Sequence, residues 1–175
     1  MKRIAVIIAN GSEEIEAITP IDLLRRTNAQ CDVFAVGEKT VKCSHGVSIT
    51  ADYTIDEFDY TAYDGIVIPG GMPGATNIAN CEKAIEGIKH LFSQGKLVSA
   101  ICASPAVVLA SHGLIKGKKA TCYPASEFIK LIEKQSIYTG ENVTVDNNLI
   151  TANGPKSAME FALAICKFLE VEPKF

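Results

Sequence analysis

Continuous apolar runs alternate with helix-like segments along the chain. Short runs of this kind are typical of strands that are covered on both faces of a sheet. They predict buried strands over residues 4–9, 31–36, 65–68 and 97–101.

The segments between these runs carry apolar residues at helical spacing. In the first of them Ile15, Ile18, Ile21 and Leu24 recur every third residue, and Pro20 is expected to distort the helix locally. We predict helices over residues 14–26, 82–92, 105–111, 125–133 and 156–169, and hairpins over residues 41–50 and 143–152.

Strands that alternate with helices build parallel β-α-β units, which form a doubly wound sheet. The sequence therefore predicts an α/β fold with a mostly parallel sheet. In such folds the ligand crevice lies beyond the carboxyl ends of the strands. Residues 10–16, 69–74 and 102–105 each follow a predicted strand, so we expect these three loops to converge on one crevice.

Length and composition are those of one globular domain. The 175 residues suffice for a single buried core, and we expect one domain over residues 1–175. The net charge of -3 offers no basic surface for nucleic acid. The most apolar stretch, residues 97–110, is too short to cross a membrane. We therefore expect neither a nucleic-acid partner nor a membrane partner.

The cysteines form no recognisable metal or redox motif. The chain has 6 cysteines, no C-x-x-C pair and no His/Cys cluster at metal-ligand spacing. Scattered cysteines suit a reducing compartment, which favours a cytoplasmic location. The loop after the first strand carries acidic residues where a dinucleotide site would need glycines. We therefore expect no metal and no cofactor.

Cys102 is the first candidate for chemistry. It lies between an apolar strand and a helix that opens with Ser104 and Pro105, and Ala100 precedes it by two positions. A nucleophile elbow requires such small neighbours, because bulk would clash at its strained turn. The helix start also presents free N–H groups and a positive dipole end, which favour a thiolate. The alternative is a buried core cysteine, but the elbow context favours a reactive one.

Glu16 is the predicted partner of Cys102. Glu13, Glu14 and Glu16 crowd one loop, and Glu13 and Glu16 share a face of the helix start. Helix-dipole stabilisation and solvation account for Glu13 and Glu14. A carboxyl group beside a thiolate should have a raised pKa, because like charges repel. A protonated Glu16 could then hydrogen-bond the sulfur and move protons for a substrate.

Gly70 and Gly71 follow another predicted strand. Glycine lets the backbone approach a ligand and direct N–H groups at an oxyanion. The alternative is a simple tight turn, and this short motif does not decide between the two.

Seven segments in order along the chain resemble the ThiJ/PfpI superfamily, most closely its Parkinson's-disease-associated deglycase branch. The matching segments are GSEEIE at 11–16, IDLLRR at 21–26, VKCS at 41–44, IPGG at 68–71, AICA at 100–103, NGP at 153–155 and EFALAI at 160–165. The resemblance implies a three-layer flavodoxin-like sandwich and a homodimer. It also implies that Cys102 is the nucleophile, that Glu16 lies beside it, and that the amides of Gly71 and Ala103 form an oxyanion site next to Gly70.

Two positions depart from the family pattern. Members with strong glyoxalase activity carry a histidine where this chain has Tyr123, and tyrosine is a poor base near neutral pH. The peptidase branch has a histidine directly after the nucleophile, whereas Ala103 follows Cys102 here. Relatives also place the hairpin predicted here over residues 41–50, which contains His45, near the active site of the dimer partner. By that resemblance His45 and Arg26 are expected to line the rim of the crevice across the dimer.

Three functions are open from the sequence. The first is a cysteine-dependent glutathione-independent glyoxalase or deglycase, which acts on small reactive carbonyls or on glycated protein and protects against oxidative stress. The second is a cysteine redox sensor or chaperone without turnover. The third and weakest is a peptidase or amidase. Tyr123 in place of histidine favours the second function over a fast version of the first.

Overall fold

The structure, a computed structural model, describes residues 1–175. The strands are β1 (Arg3–Ile8), β2 (Gln30–Ala35), β3 (Thr40–Lys42), β4 (Ser48–Thr50), β5 (Tyr53–Thr54), β6 (Gly65–Ile68), β7 (Leu97–Ile101), β8 (Lys119–Ala120), β9 (Ile137–Tyr138), β10 (Val143–Asp146) and β11 (Leu149–Ala152). The α-helices are α1 (Glu14–Arg25), α2 (Gly74–Ala79), α3 (Glu82–Ser93), α4 (Ser126–Glu133) and α5 (Ala158–Leu169).

Seven strands form the central sheet in the order β10-β11-β7-β6-β1-β2-β5. Every neighbouring pair is parallel except the β10–β11 hairpin. The pairs β3–β4 and β8–β9 form two separate small sheets. Because strand order reverses on either side of β1, the chain winds in both directions, which confirms the predicted doubly wound α/β fold.

The central sheet separates two apolar layers. Along β1, Ala5 and Ile7 point into the layer formed with α2, α3 and α4, whereas Ile4, Val6 and Ile8 point into the layer formed with α1 and α5. This alternation follows from the period of two in a strand. Both faces are apolar because both are covered by helices, which confirms the three-layer sandwich.

The most apolar stretch of the sequence is buried in this sandwich. It forms β7 and a π-helical turn at Pro105–Leu109, and most of its side chains lie in the two cores. None of the helices combines the length and the apolar character needed to cross a bilayer.

Several elements differ from the sequence prediction. The predicted helix over residues 105–111 is the π-helical turn followed by a 3₁₀ turn at Ala110–His112. The helix predicted from residue 156 begins at Ala158, after a 3₁₀ turn at Pro155–Ser157. The short elements α2, β5, β8 and β9 were not predicted, because segments of two to six residues carry too little periodicity to detect.

Helix α1 packs on a different face from the one its isoleucines mark. Ile15 and Ile18 are 53% and 43% exposed, whereas Glu16, Ala17 and Pro20 are buried. The helix continues through Pro20 without a break. Only the first half of the predicted row is left on the outside, since Ile21 packs against the core and Leu24 is buried in it.

Candidate active site

Cys102 lies at the sharp turn between β7 and the π-helical turn. Its φ angle is +66°, in the left-handed region that non-glycine residues rarely adopt. The Cys102 N–H donates to the Ala152 carbonyl (2.9 Å), and the Cys102 carbonyl accepts from the Tyr123 N–H (2.8 Å). The neighbouring strand and loop therefore hold the strained residue on both sides, as the geometry of a nucleophile elbow requires.

Gly70 makes room for the two reactive side chains. A Cβ atom at Gly70 would lie 2.5 Å from Cys102 Cβ and 2.8 Å from Glu16 Oε1. Gly71 has a φ of +85°, and a Cβ there would lie 2.5 Å from the Glu13 nitrogen. The loop after β6 can pass between Cys102 and Glu16 only because both of its positions are glycine.

Glu16 is fully buried in the first turn of α1. Its Oε1 accepts a hydrogen bond from the Gly70 N–H (3.0 Å). Its Oε2 is buried and has no hydrogen-bond partner. The carboxyl group also interacts with the Cys102 thiol, which affects the pKa of both groups. The Glu13 carboxylate accepts from the Glu16 N–H (2.9 Å) and so fixes the start of the helix.

Burial raises the pKa of Glu16 to about 8. The hydrogen bonds with Cys102 and with the Gly70 N–H act in the opposite direction, and the charge of Glu13 adds to the increase. The raised pKa agrees with the sequence prediction, but its main cause is desolvation rather than a neighbouring thiolate. Glu16 is therefore mostly protonated at neutral pH.

Burial also raises the pKa of Cys102 to about 12, helped by the charge of Glu16 and the hydrogen bond to it. The N–H groups of Gly71 and Ala103 lower the pKa, but they do not compensate. The N–H donors thus act in the direction that the sequence analysis expected, but burial and the charge of Glu16 outweigh them while Glu16 is ionised. The two groups titrate as a pair: a thiolate forms at Cys102 most readily when Glu16 holds the remaining proton.

The sulfur faces two backbone donors. The N–H groups of Gly71 and Ala103 lower the pKa of Cys102, because they act as donors toward its sulfur. They come from different loops, one after β6 and one after β7. Donors arranged in this way also suit an oxygen that becomes negative next to the sulfur.

Tyr123 lies at the edge of the elbow. Its side chain is 46% exposed, and its ring lies beside Gly154, where an added Cβ would be 3.4 Å from the ring. A cavity of about 480 Å³ opens at this point. Its lining residues are Tyr123, Pro124, Asn142, Asn153, Gly154, Pro155, Lys156 and Ser157.

Sequence analysis did not single out the polar lining of this cavity. Ser157 donates a hydrogen bond to Asn153 Oδ1 (2.6 Å), and Asn153 in turn contacts Asn142 (3.2 Å). The only signal was the Asn-Gly-Pro segment at 153–155, which carried the family resemblance. Asn142 lies on another loop, so only the fold could place it here.

Glu13 and Glu14 are buried, contrary to the sequence analysis, which expected them to be solvated. Each residue is only 7% exposed. The Glu14 carboxylate accepts from the N–H groups of His45 (2.9 Å) and Val47 (3.3 Å) in the turn between β3 and β4. Burial opposes ionisation of Glu14, but its backbone hydrogen bonds outweigh burial and lower its pKa. The two carboxylates fasten the hairpin and the helix start.

His45 and Arg26 lie at opposite ends of α1. His45 Nδ1 is 3.4 Å from Glu14 Oε1, near the start of the helix. Arg26 follows the last turn, where it pairs with Asp22 (3.0 Å), about 15 Å of helix away from Glu16. Within one chain the structure therefore does not bring Arg26 to the crevice. A role for either residue in the site of a partner subunit stays a prediction.

Known proteins share both the sequence and the fold. Residues 2–168 match the DJ-1/PfpI family. Protein DJ-1 homolog B of Arabidopsis thaliana is 46% identical over 93% of this chain, which spans only 37% of that relative's length. The glutathione-independent glyoxalase DJR-1.2 of Caenorhabditis elegans is 36% identical, over 91% of this chain and 83% of that protein.

A solved structure shows the similarity in fold directly. The oxidized form of Toxoplasma gondii DJ-1 superposes with a TM-score of 0.91 at 42% identity, over 97% of this chain and 91% of that one. The match includes the central sheet and the helices on both of its faces. This chain belongs to the DJ-1/PfpI family.

Proposed function

We propose that this protein is a cysteine-dependent enzyme that acts on small reactive carbonyls or on their adducts with proteins, as a glutathione-independent glyoxalase or deglycase. One observation carries the proposal: Cys102 sits on a strained elbow, coupled to a carboxyl group of Glu16 with a pKa of about 8. The likeness to a relative named a glyoxalase supports it. All 6 cysteines are free thiols, in keeping with a role in cytoplasmic protection against oxidative stress.

The first step is addition of the sulfur to an aldehyde such as methylglyoxal. The reactive state has a thiolate at Cys102 and a proton on Glu16. The sulfur bonds to the aldehyde carbon, the C=O π bond breaks, and the Glu16 proton goes to the oxygen, giving a hemithioacetal. The N–H groups of Gly71 and Ala103 stabilise the charge that develops on this oxygen.

The second step moves a hydrogen along the substrate. The Glu16 carboxylate removes the proton from the former aldehyde carbon, and the electron pair of that C–H bond forms a C=C bond as the π bond of the adjacent ketone breaks, giving an enediolate. Glu16 returns the proton to the second carbon and the hydroxyl proton of the first carbon passes to the enediolate oxygen, which gives a thioester of lactic acid. Water then hydrolyses the S–C bond, which releases lactate and restores the Cys102 thiol.

The cavity beside Tyr123 accommodates the rest of a larger substrate. At about 480 Å³ it exceeds the space that methylglyoxal alone needs, and its lining offers amide and hydroxyl groups. A glycated lysine or arginine side chain could lie there while its carbonyl-derived carbon meets Cys102. Tyr123 supplies a hydrogen bond rather than a base.

The test is lactate formation from methylglyoxal by the purified protein. We expect turnover that Cys102→Ser abolishes and that Glu16→Gln reduces by about 100-fold or more, since general acid–base catalysis is lost. Cys122→Ser is the matched control, because Cys122 is buried outside the site and should leave turnover unchanged apart from stability. Parallel assays with glycated peptides measure deglycation.

Absence of turnover in the unmodified protein would contradict the enzyme and favour a cysteine redox sensor or chaperone. The specific observation behind this second candidate is the set of donors around the sulfur, which suit a sulfinate as well as an oxyanion. A similar fold has been solved in an oxidized form. Peroxide titration followed by mass spectrometry would then show Cys102 oxidised before the other cysteines.

A peptidase or amidase has less support. None of the 3 histidines hydrogen-bonds to Cys102, and Ala103 occupies the position after the nucleophile. The only side chain coupled to the thiol is the carboxyl group of Glu16. Without an imidazole, no group takes the role of the histidine in cysteine peptidases, which removes the proton of the nucleophile as a general base and donates it to the leaving amine as a general acid.

A further inference from the structure

The cavity beside Tyr123 borders the elbow that carries Cys102 on two sides. The Tyr123 N–H donates to the Cys102 carbonyl (2.8 Å), and the Cys102 N–H donates to the Ala152 carbonyl (2.9 Å). Tyr123 itself lines the cavity, and Ala152 leads directly into the lining segment 153–157. A substrate carbon that bonds to the sulfur therefore has this space of about 480 Å³ next to it.

The lining of the cavity carries a single formal charge. Among its 8 residues Lys156 is the only charged one, and none is acidic. The Lys156 side chain is exposed, and it takes part in none of the ion pairs of the chain. Its ammonium group is therefore a free cation at the cavity.

Neighbouring acidic residues do not neutralise this ammonium group. Glu141 precedes the lining residue Asn142, but its Oε2 accepts a hydrogen bond from the Thr144 hydroxyl (2.8 Å). Glu160 lies one helical turn after Lys156, and the two side chains do not form an ion pair. The positive charge is thus available to a ligand.

The amide groups of the lining add a hydrogen-bond donor. Ser157, which is 5% exposed, donates to Asn153 Oδ1 (2.6 Å), and Asn153 Nδ2 donates to Asn142 Oδ1 (3.2 Å). These contacts use the amide oxygen of Asn142 and leave its NH₂ group as a donor for a ligand. An ammonium group and an amide N–H both complement a negatively charged oxygen.

The reactive pair gives such a cation a role in the choice of substrate. Cys102 and Glu16 share one negative charge in the reactive state, and this charge repels an approaching anion. A neutral aldehyde needs no compensation for this repulsion. A substrate that carries an anionic group needs a cation beside the thiolate, and Lys156 is the cation of the adjoining cavity.

We propose that Lys156 is a specificity-determining residue, which selects substrates whose reactive carbonyl is joined to a carboxylate. The ammonium group and the Asn142 amide hold the carboxylate while the aldehyde carbon meets Cys102. One ammonium group matches the single charge of a carboxylate. In a glycated protein, an acidic residue beside the modified side chain would supply the anion. This inference rests on the proposed function, because it adds a substrate class to the same site.

The test compares two four-carbon aldehydes that differ in charge: succinic semialdehyde carries a carboxylate, and butanal does not. Cys102 adds to the aldehyde carbon and the Glu16 proton goes to the oxygen, giving a hemithioacetal that protects the sulfur from iodoacetamide. Mass spectrometry of the Cys102 peptide measures the protection. We expect succinic semialdehyde to protect the wild type at an about three- to fivefold lower concentration than butanal.

Variants of Lys156 assign this preference to its charge. Lys156→Gln should abolish the preference, and Lys156→Arg should keep it, because arginine retains the charge and forms no imine with an aldehyde. Lys130→Gln, at an exposed position of α4 outside the cavity, is the matched control and should keep the preference. Equal protection by the two aldehydes in the wild type would overturn the proposal. A preference that survives in Lys156→Gln would overturn it as well.

Alkylation rates separate this proposal from the proposed function. Iodoacetate and iodoacetamide both alkylate Cys102 without carbonyl chemistry, and only iodoacetate carries a carboxylate. If neither aldehyde protected Cys102, the proposed carbonyl chemistry would fail. A ratio of iodoacetate to iodoacetamide rates that falls in Lys156→Gln but not in Lys130→Gln would then still support the carboxylate site. An unchanged ratio would overturn it. Circular dichroism checks that each variant is folded.

Discussion

At the scale of single residues, the central feature is an acid that the fold keeps protonated. Glu16 has lost all contact with water, one of its oxygens has no hydrogen-bond partner, and its carboxyl group interacts with the Cys102 thiol. Burial makes the first negative charge costly and makes a second one beside it costlier still. The pair therefore carries at most one charge under ordinary conditions, and its chemistry depends on which of the two atoms holds the proton.

Glu16→Gln should change how stability depends on pH. The folded-state pKa of Glu16 is about 8 against an ordinary value of 4.5, so the unfolded chain loses this proton first. Between these values the folded state binds more protons, and the free energy of unfolding falls as pH rises. We expect the wild type to lose a few kcal/mol relative to Glu16→Gln over this range. Urea unfolding at about pH 5 and about pH 8 measures the difference.

Glu160→Gln is the control for this experiment. Glu160 also lies in the first turn of a helix, α5, but is exposed, so its variant should keep the pH dependence of the wild type. If Glu16→Gln showed the same slope as the wild type, Glu16 would be ionised in the folded state, contrary to its burial.

At the scale of elements, one carboxylate joins a helix to a hairpin. Glu14 is in the first turn of α1, and its side chain accepts backbone N–H groups of the turn between β3 and β4. These two strands form a separate small sheet, which backbone hydrogen bonds from Gly11 to Lys42 and from Ser44 to Ser12 join to the loop after β1. Glu14 adds the contacts that hold the turn carrying His45.

Glu14→Ala should loosen this turn. The N–H groups of His45 and Val47, which lie in an exposed turn, would lose their acceptor, and one hydrogen bond contributes about 0.5–1.5 kcal/mol net. We expect faster hydrogen exchange at these two amides and a lower free energy of unfolding by about that amount. Glu160→Ala, which removes an exposed first-turn glutamate, should do neither. Unchanged protection at His45 and Val47 would show that other contacts hold the turn.

At the scale of the whole molecule, the exposed apolar side chains near the site predict self-association. Ile15 and Ile18 lie on the outer face of α1, and Val47, 47% exposed, lies on the turn that Glu14 holds. Isolated exposed residues are common, but three at one end of the molecule favour an interface. We propose that the chain forms the homodimer that its family resemblance implied, with this surface inside it.

Light scattering coupled to gel filtration tests the dimer. The wild type should elute with twice the mass of one chain, and Ile18→Glu should shift it to the monomer, because a buried carboxylate without a partner opposes association. Val145→Glu, at an exposed site on β10, should remain dimeric. A wild type that is monomeric at every concentration would contradict the proposal and leave His45 and Arg26 without a partner site.

Sequence analysis predicted those features whose residue pattern lies within a few positions of the chain. The elbow at Cys102 follows from small residues within two positions, and the strands of the central sheet follow from short apolar runs. The exposed face of α1 was not predicted, because Ile15 and Ile18 have the spacing of a packed face. Only the residues that pack against α1 in the folded chain show that Ala17 and Pro20 face the core instead.

The sequence by itself determined the α/β architecture and indicated the elbow cysteine, because each depends on periodicity or on residue types at short separation. The choice of Glu16 as the neighbour of Cys102 rested on the family resemblance, since the two residues are far apart in the sequence. Only the tertiary structure decided the protonation of the Cys102–Glu16 pair, since desolvation is set by everything packed around it. The convergence of Glu13 and Glu14 with His45 is of the same kind. Residues 31 positions apart meet there because the hairpin folds back on α1, and no local pattern records that contact.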